Sequence, residues 1–342
     1  IIPNVTYVKV QNTREALAYM SAAYFGHPAD KLKTIGITGT KGKTTTTYMV
    51  KSILESAGIK TGLIGTIESI VGDEKIPAAN TTPESYRVQE LFAQMVGAGI
   101  EAVVMEVSSQ ALMLHRVSGF VFDIGVFTNL EPDHIGTNEH KDFDDYMYCK
   151  SLLFRQCKLG IFNGDSEHIE GILKGHTCDV EKFGYKKDND YIANNVELKK
   201  EHGALGVKYH ISGKVEFDVE VNVPGNFSVY NSLTAIAICH QFGVKEEIIK
   251  IGSDCFIGHC GSGITVFGEN GKVTRITDKY IYCTSESGSV LKYDIAKQGT
   301  IGKWRKAYFF INLNHTRDYN DKNVCKMKPS VWNDKKLELE YK

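Results

Sequence analysis

The chain has 342 residues, of which 42% are hydrophobic and 24% charged, and its formal net charge is −1. The composition is that of an ordinary globular protein, and the length allows about two domains. The net charge gives no electrostatic basis for binding nucleic acid or an anionic membrane surface. No apolar run reaches the ~20 residues that a membrane span requires, and eight scattered cysteines without a CxxC pair favour a reducing, cytoplasmic setting over a disulfide scaffold.

The opening stretch, IIPNVTYVKV, has no initiator methionine, no basic region and no long apolar region. We therefore expect that it is not a signal peptide and that the true start of the protein is missing. Farther along, apolar runs and apolar residues at helical spacing predict strands and helices in turn. The predicted strands are 33–39, 60–67, 101–107, 122–130 and 159–164, and the predicted helices are 43–57, 83–99 and 143–157. This alternation predicts an α/β fold with a mainly parallel sheet flanked by helices.

The pattern changes after about residue 191. The stretch 206–223 alternates apolar and polar residues around a Ser-Gly pair, which predicts a small β-hairpin region. A predicted helix over 226–243 follows and ends at Gly243. From residue 252 onward the sequence is rich in Gly, Ser and Thr with short β-like runs, and we expect an irregular β-rich tail that matches no assigned domain.

The stretch GITGTKGKTTTTY, residues 36–48, predicts a phosphate-binding loop. The common pattern G-x-x-x-x-G-K-[ST] would need glycine at position 37, where Ile37 stands, so the match is the shorter form G-x-x-G-K-T over 39–44. A strand precedes the loop and a helix follows it, which directs backbone N–H groups and the positive helix end toward an anion. Lys43 is then expected to reach the β- and γ-phosphates and Thr44 to bind Mg²⁺.

The loop does not identify the reaction, because a GTPase, a kinase or an ATP-dependent ligase could use it. Glu106 ends a predicted strand, at the edge where open α/β sheets bind ligands. We expect its carboxylate to share the Mg²⁺ with Thr44, since Mg²⁺ prefers oxygen ligands. The alternative is an ordinary solvated carboxylate at a strand end.

Five segments resemble motifs of the Mur ligase family in their order and spacing, over roughly residues 5–250: GTKGKTTTT, NTTPES, MEVSSQALMLHR, TNLEPDHIG and YCKSLLF. The resemblance is closest to the branch that extends UDP-MurNAc-L-Ala-D-Glu, and it implies a central ATP-binding domain with a phosphate-binding loop. In this family ATP phosphorylates a substrate carboxylate, and an amino group then displaces the phosphate to form an amide. The resemblance implies ATP and Mg²⁺ as cofactors, and a UDP-MurNAc-dipeptide and an amino acid as substrates.

The resemblance also implies roles for individual residues. His134 would bind a second Mg²⁺, and Lys150 would be carbamylated by CO₂ and face the metals as an anion, whereas a lone lysine is otherwise typical of a helix surface. Lys43, His134 and Lys150 are thus the expected catalytic residues, and Thr44, Glu106, His134 and Lys150 the expected metal-site residues. The expected nucleotide-binding residues are Gly39, Thr40, Lys41, Gly42, Lys43, Thr44, Thr45 and Asn231.

A second set of residues is expected at the UDP-MurNAc-dipeptide. Its members carry hydroxyl, amide or guanidinium groups, and they are Asn80, Thr81, Thr82, Ser108 and Arg116. Arg116 would pair with a carboxylate or a phosphate. The alternative for the two threonines is simple capping of the predicted helix that begins near Pro83.

The resemblance divides the chain into three parts. Residues 1–30 correspond to the end of an N-terminal UDP-binding domain and its linker, 31–251 to the central ATP-binding domain, and 252–342 to nothing recognisable in the family's third domain. The leading function is an ATP-dependent ligase that adds a diamino acid, with the choice between lysine and diaminopimelate left open. The alternatives are a non-catalytic ATP-binding remnant and another Mur-type ligase of the folylpolyglutamate or cyanophycin kind.

Overall fold

The computed structural model describes residues 6–137, 139–201, 204–223 and 225–249, and the backbone of three strands between 271 and 294. The predicted tail, 252–342, lies outside the described residues except for those three strands. The chain divides into two compact units. The main sheet belongs to the first unit, apart from the adjoining ends of two of its strands, and a small three-stranded sheet belongs to the second.

The helices alternate with the strands through the first unit. They are α1 (Thr13–Tyr24), α2 (Lys43–Ser56), α3 (Ser85–Gly97), α4 (Ser109–Met113), α5 (Phe143–Ser151), α6 (Ile169–Leu173) and α7 (Asn226–Gln241). Short 3₁₀ turns follow α1 and α5, at Pro28–Lys31 and Leu152–Arg155. Within the described part of the chain, no helix combines the length and the apolar character that crossing a membrane requires.

The strands of the main sheet are β1 (Lys33–Thr38), β2 (Thr61–Ile64), β3 (Glu68–Val71), β4 (Glu74–Pro77), β5 (Ala102–Glu106), β6 (Phe122–Phe127), β7 (Cys157–Asn163), β8 (Asp179–Gly184), β9 (Tyr191–Glu201), β10 (Ala204–Gly213) and β11 (Phe217–Val221). Among the described residues they form one sheet in the order β11-β10-β9-β8-β7-β6-β1-β5-β2-β3-β4. The pairs from β9 through β1 and β5 to β2 are parallel. The mainly parallel α/β sheet predicted from the sequence is confirmed.

Antiparallel pairs extend this sheet at both sides. The hairpin predicted around Ser212-Gly213 is confirmed, since β10 pairs antiparallel with β11. At the other side β2, β3 and β4 pair antiparallel, although the sequence interpretation assigned only a single strand to 60–67 there. The separate sheet of the second unit consists of β12 (Gly271–Ile276), β13 (Tyr280–Ser285) and β14 (Val290–Asp294), which are antiparallel.

The order of the strands places a switch point of the sheet at the carboxyl end of β1. Strand β1 lies between β5 and β6, both of which follow it in sequence and run parallel to it. The chain passes from β1 to β2 on one side of β1 and from β5 to β6 on the other, and ligands of open α/β sheets bind outside such a switch point. The phosphate-binding loop follows β1, Glu106 ends β5, and the TNLEPDHIG segment follows β6. One edge of the sheet thus collects three of the motifs.

The apolar core holds this edge in place. The central strands bury their side chains on both faces, which is typical of a parallel sheet covered by helices. Helix α7 is buried almost all round from Asn231 to Cys239, as expected for a helix whose residues are mostly apolar or small. The predicted helix 143–157 is shorter than expected, because the α-helix ends at Ser151 and a 3₁₀ turn completes the segment.

Candidate functional site

The phosphate-binding loop has a backbone that only glycine fits at two positions. Gly39 has φ 149° and Gly42 has φ 84°, in the left-handed half of conformational space. A Cβ atom at Gly39 would lie 2.0 Å from Thr128 Oγ1, and one at Gly42 would lie 2.4 Å from Asn231 Oδ1. Gly42 is also the N-cap of α2. The loop therefore brings its backbone N–H groups to a helix start, as an anion site requires.

Two lysines converge on the same carbonyl in this loop. Lys43 Nζ donates to Gly39 O at 2.7 Å and to Thr40 O at 3.1 Å, and Lys150 Nζ donates to Gly39 O at 3.0 Å. Burial lowers the pKa of Lys43, and burial together with the charge of Lys43 lowers the pKa of Lys150 well below its usual value. Carbonyl dipoles compensate these ammonium groups only in part, so the position favours a bound anion.

Glu106 is buried at the end of β5, with 1% of its surface exposed. Its carboxylate accepts hydrogen bonds from Thr44 Oγ1 at 3.0 Å to both oxygens, from Thr66 N at 2.9 Å and from Thr66 Oγ1 at 3.0 Å. The alternative of a solvated carboxylate at a strand end is wrong. The two residues expected to hold Mg²⁺ therefore lie in direct contact beside Lys43.

The oxygen atoms of this contact fit a magnesium ion. Mg²⁺ prefers oxygen ligands at about 2.1 Å in octahedral geometry, so neighbouring ligand oxygens lie about 3.0 Å apart. Thr44 Oγ1 and the oxygens of Glu106 are 3.0 Å apart. A hydroxyl and a carboxylate at this spacing can hold the ion with little rearrangement.

The segment after β6 braces the loop. Asn129 accepts from Lys41 N at 2.8 Å and donates to Lys41 O at 2.9 Å, while Thr128 Oγ1 donates to the same Lys41 O at 2.8 Å. Glu131 N donates to Thr40 Oγ1 at 3.0 Å, and Lys41 Nζ forms an ion pair with the Glu131 carboxylate at 2.5 Å. These contacts fix Thr40 and Lys41, and they direct the Lys41 side chain to the exposed rim.

Lys150 is 2% exposed, so the alternative of a surface lysine is wrong. Its Nζ lies 4.5 Å from the centroid of the Tyr146 ring, one helical turn earlier on α5. A hydrogen bond of 3.1 Å joins the Tyr146 hydroxyl to Thr40 Oγ1, and burial raises the pKa of Tyr146 to about 12. Tyr146 thus connects α5 to the phosphate-binding loop as a neutral phenol.

His134 lies at the rim of the site and is partly exposed. Its backbone is left-handed, with φ 54°, and its Nδ1 lies 3.0 Å from Glu139 Oε1. Asp133 Oδ1 accepts from His134 N at 3.0 Å, and the negative charge of Asp133 acts on both Lys43 and Lys150. The ring of His134 is 6.2 Å from that of Tyr146. The structure connects His134 to Lys150 through this ring, without a direct hydrogen bond between the two among the described contacts.

Among the residues expected to bind the dipeptide substrate, Thr82 and Ser108 lie at the end of β5. Thr82 Oγ1 donates to Glu106 O at 2.8 Å and accepts from Ser108 N at 3.0 Å. Helix α3 starts at Ser85 with Glu84 as its N-cap and without a side-chain cap, so the capping alternative for Thr82 is wrong. A hydrogen bond of 3.1 Å joins Thr81 Oγ1 to Thr66 Oγ1, whose own proton is directed to the Glu106 carboxylate.

Arg116, which is also expected to bind the dipeptide substrate, contacts Thr82 and Glu84. Its guanidinium donates to Thr82 O at 3.2 Å and pairs with Glu84 at 3.0 Å. Its Nε atom is buried and has no hydrogen-bond partner among the described residues. Ser108 caps α4 by accepting a hydrogen bond from Ala111 N. Asn80, the remaining residue of this expected set, is exposed.

The remaining expected residues lie around the start of α2. Asn231 of α7 faces Gly42, and Thr46 Oγ1 lies 3.4 Å from Asn231 Oδ1. Ser228, one turn earlier on α7, is buried, and Thr45 in the first turn of α2 is half-buried. These positions place α7 against the loop and the start of α2.

A family model described as the Mur ligase middle domain matches residues 37–239. That segment is more than half of the 342 residues. The chain belongs to the Mur ligase family. The match encloses every residue of the candidate site, from Gly39 to Asn231.

Individual Mur ligases extend this finding. UDP-N-acetylmuramoyl-L-alanyl-D-glutamate--2,6-diaminopimelate ligase of Clostridium perfringens is 45% identical over 264 residues, which are 75% of this chain and 53% of that protein. The protein of the same name from Clostridium tetani is 40% identical over 306 residues, which are 89% of this chain and 61% of that protein. The chain thus spans little more than half the length of these curated relatives.

A solved Mur ligase structure has the same fold. It is titled UDP-N-acetylmuramoyl-L-alanyl-D-glutamate--2,6-diaminopimelate ligase, and it superposes with a TM-score of 0.66 at 21% identity, covering 82% of this chain and 57% of that one. At this identity the likeness shows the fold. It agrees with the P-loop central domain and mainly parallel sheet that the sequence predicts.

Some residues of this Mur ligase site escaped the sequence interpretation. Five of them bond the expected residues through their side chains, namely Thr66, Thr128, Asn129, Glu131 and Tyr146, and a sixth, His140, bonds His134 through its backbone. The sequence carries a signal for Tyr146, which stands four positions before Lys150 and therefore shares its helical face. Thr128, Asn129 and Glu131 lie inside the quoted TNLEPDHIG motif, but their spacing alone does not indicate that they bond the loop.

Proposed function

We propose that this chain contains the ATP-binding part of a ligase that adds 2,6-diaminopimelate to UDP-MurNAc-L-Ala-D-Glu in peptidoglycan synthesis. The observation that carries the proposal is the contact between Thr44 and Glu106 beside the half-buried Lys43 and the buried Lys150, whose Nζ atoms both donate to Gly39 O. The names of the relatives favour diaminopimelate as the added amino acid. In the proposed division, residues 1–30 are the end of a UDP-binding domain, 31–251 the central domain and 252–342 an unassigned segment.

The chemistry divides into two transfers. A substrate carboxylate oxygen attacks the γ-phosphorus of ATP and ADP leaves; the amino acid nitrogen then attacks the acyl carbon, phosphate leaves and the nitrogen loses a proton. The chain holds the phosphates with the amides of the loop and with Lys43, after Lys43 gives up its contacts to Gly39 O and Thr40 O. Thr44 and Glu106 would hold Mg²⁺, which neutralises charge on the phosphates.

Lys150 and His134 are proposed to hold the second metal position. The lowered pKa of Lys150 makes a neutral amine more available, and CO₂ reacts with neutral amines to form carbamates. A carbamate would reverse the charge beside Lys43. Activity that is lost in Lys150→Ala and partly restored by added acetate or bicarbonate supports this role; activity that survives the substitution unchanged contradicts it.

Arg116 and Thr82 are proposed to bind the UDP-MurNAc-dipeptide, together with Ser108, Thr81 and Asn80. Arg116 Nε is buried without a partner in the described part of the chain, and its guanidinium already lies beside the Thr82 carbonyl. A buried donor without a partner favours an incoming acceptor such as a carboxylate or a phosphate. The same positions would hold the substrate carboxylate on the Glu106 side of the loop.

The test follows phosphate release from the full chain with ATP, Mg²⁺, UDP-MurNAc-L-Ala-D-Glu and diaminopimelate, omitting each in turn. We expect phosphate release only when UDP-MurNAc-L-Ala-D-Glu and diaminopimelate are both present. Glu106→Gln should reduce release by at least about a hundredfold, because the carboxylate meets the metal. Glu68→Gln is the matched control, since Glu68 is a half-buried carboxylate that bonds Tyr48 away from the loop. Equal loss in both variants would contradict the assigned role.

The second candidate is an ATP-binding chain without ligase activity. The observation that favours it is that Lys43, Thr44 and Glu106 by themselves suit the phosphates and Mg²⁺ of ATP, whatever reaction follows. This candidate predicts that ATP binds with an affinity that depends on Mg²⁺ and Glu106, while no phosphate release depends on the dipeptide. Calorimetric ATP binding and phosphate release measured on one preparation distinguish the two candidates.

A further inference from the structure

The loop that carries His134 is closed by the backbone of His140. His140 N donates to His134 O at 3.0 Å, and Gly136 N donates to His140 O at 3.1 Å. Within this loop His134 has φ 54°, a conformation that residues other than glycine adopt at a cost. Such a backbone persists only where surrounding contacts fix it. The backbone of His140 therefore bonds both the strained His134 and Gly136 in this loop.

The side chain of His140 is fully buried and bonded at both ring nitrogens. Its Nε2 lies 2.8 Å from Ser109 Oγ, and its Nδ1 lies 3.0 Å from Asp145 Oδ2. An ionised Asp145 only accepts, so Nδ1–H donates to it, and Nε2 of the neutral ring accepts from the Ser109 hydroxyl. Ser109 opens α4, just after Glu106 and Ser108, and Asp145 lies in the first turn of α5. One imidazole thus joins three parts of the site.

A bound metal ion is an alternative explanation for the cluster formed by His140, Asp145 and Cys149. Ligand atoms of His140, Asp145 and Cys149 lie within 4.8 Å of one another. Burial raises the pKa of Cys149 to about 11, however, so a metal ion would have to displace the proton of this thiol. Both nitrogens of His140 are already engaged as well. The contacts favour a structural role for the cluster.

We propose that His140 is a positioning residue that clamps the 134–140 loop to α4 and α5 and so holds His134 in its strained conformation beside the nucleotide site. The inference rests on the proposed function in one respect, the binding of metal by His134. The clamp itself depends only on the contacts of His140. A structural and a metal-binding measurement therefore test the two separately.

The structural measurement is amide hydrogen exchange of residues 134–140 in the full chain, in wild type, His140→Ala, His140→Asn and Ser109→Ala. His140→Ala removes both side-chain bonds, and exchange at Gly136 and His140 should accelerate about tenfold or more. His140→Asn places an amide donor near the position of Nδ1, so it should retain part of the protection and guards against loss of folding in the alanine variant. Unchanged exchange in His140→Ala overturns the proposal.

Asp142→Ala is the matched control. Asp142 caps α5 by accepting from Asp145 N at 2.8 Å, whereas the side-chain partners of His140 are Ser109 and Asp145. It should destabilise α5 without accelerating exchange at Gly136 and His140. Equal acceleration in Asp142→Ala and His140→Ala would show that fraying of α5, and not the clamp, governs the loop, and would also overturn the proposal.

The metal measurement is a Mn²⁺ titration by electron paramagnetic resonance with a non-hydrolysable ATP analogue. We expect His134→Ala and His140→Ala each to weaken one Mn²⁺ site about tenfold while analogue affinity stays within about threefold. If exchange accelerates in His140→Ala but His134→Ala titrates like wild type, the clamp stands and the proposed metal role of His134 is wrong. If exchange accelerates and His134→Ala alone weakens Mn²⁺, the loop is clamped without positioning His134, which overturns the positioning role.

Discussion

At the scale of single residues, the two ends of α2 offer a controlled test of the loop. Gly42 at its start has φ 84° and Gly58 beyond its end has φ 81°, so alanine meets the same backbone strain at both positions. A Cβ at Gly58 has nothing within 4 Å, whereas one at Gly42 meets Asn231 Oδ1 at 2.4 Å. The two substitutions differ only in this clash and in their distance from the phosphate site.

We expect Gly58→Ala to lower the free energy of unfolding by about 1–2 kcal/mol and to leave ATP affinity unchanged. Gly42→Ala should cost about 2–4 kcal/mol, because Asn231 or the loop must move, and should weaken ATP binding at least about tenfold. Urea unfolding and calorimetric ATP titration measure both effects. Similar ATP affinities in the two variants would show that the loop does not bind the nucleotide through this backbone.

Lys150 makes stability depend on pH, with a definite sign. Its folded pKa lies below the unfolded value, so between the two the unfolded chain holds one more proton than the folded chain. Stability therefore rises with pH through that window, by up to about 1.4 kcal/mol per pH unit for one such group. Lys150→Met should remove the part of this slope that Lys150 contributes, while Lys43, whose pKa burial also lowers, keeps its own part. The variant should also stabilise the chain at the lower end of the window, since Gly39 O keeps the hydrogen bond from Lys43.

Urea unfolding between pH 6 and 10 in bicarbonate-free buffer measures this slope. Lys158→Met is the control, because Asp123 holds the pKa of Lys158 above its usual value and any proton difference falls beyond that range. The control should keep the wild-type slope. A Lys150→Met slope equal to that of wild type would mean that the buried amine is charged in the folded protein throughout.

At the scale of elements, glycines in β1 and β2, the two strands on either side of β5, show how tightly the sheet is packed. A Cβ at Gly36 in β1 would lie 2.9 Å from the ring of the fully buried Phe122, which packs edge-on against Phe120 at 4.8 Å between ring centroids. A Cβ at Gly62 in β2 would meet the end of the Met95 side chain, with Sδ at 2.6 Å. A thioether can change rotamer, whereas a packed phenyl ring cannot.

We therefore expect Gly36→Ala to lower the free energy of unfolding by about 1–3 kcal/mol and Gly62→Ala to change it by less than about 1 kcal/mol. In the double variant with Phe122→Leu, the cost of Gly36→Ala should shrink, which a double-mutant cycle by urea unfolding detects. Additive costs would show that the ring of Phe122 does not limit the space at β1.

The order of elements was readable from the sequence wherever a periodic pattern was long enough. The strand at 33–39 and the helix at 226–243 match β1 and α7 to within two residues at each end. The paired strands β3 and β4 were missed because each has only four residues, and because β4 carries mostly exposed side chains without a buried pattern. The end of α5 was placed too late, since the apolar residues of the 3₁₀ turn continue the helical spacing of the segment before it.

At the scale of the whole molecule, the site depends on hydrogen bonds between segments far apart in sequence. Thr66 and Glu106 are 40 positions apart, and Lys150 and Gly39 are 111 apart. The sequence predicted the loop and Glu106, because a strand followed by a glycine-rich turn and a helix is a local signal. It could not predict Thr66 or His140, since only the strand order brings them to the site.

The same long-range connections make nucleotide binding a property of the folded molecule, so Mg²⁺ and ATP should stabilise it. At a concentration about 100 times Kd, a ligand that binds only the folded state adds about 2.7 kcal/mol to the free energy of unfolding. Lys43→Met should remove most of this gain, because the methionine offers no charge to the phosphates, while Lys158→Met, which removes an exposed charge, should retain it. Urea unfolding with and without the nucleotide measures the gain. Equal gains in both variants would place the nucleotide away from the β1 loop.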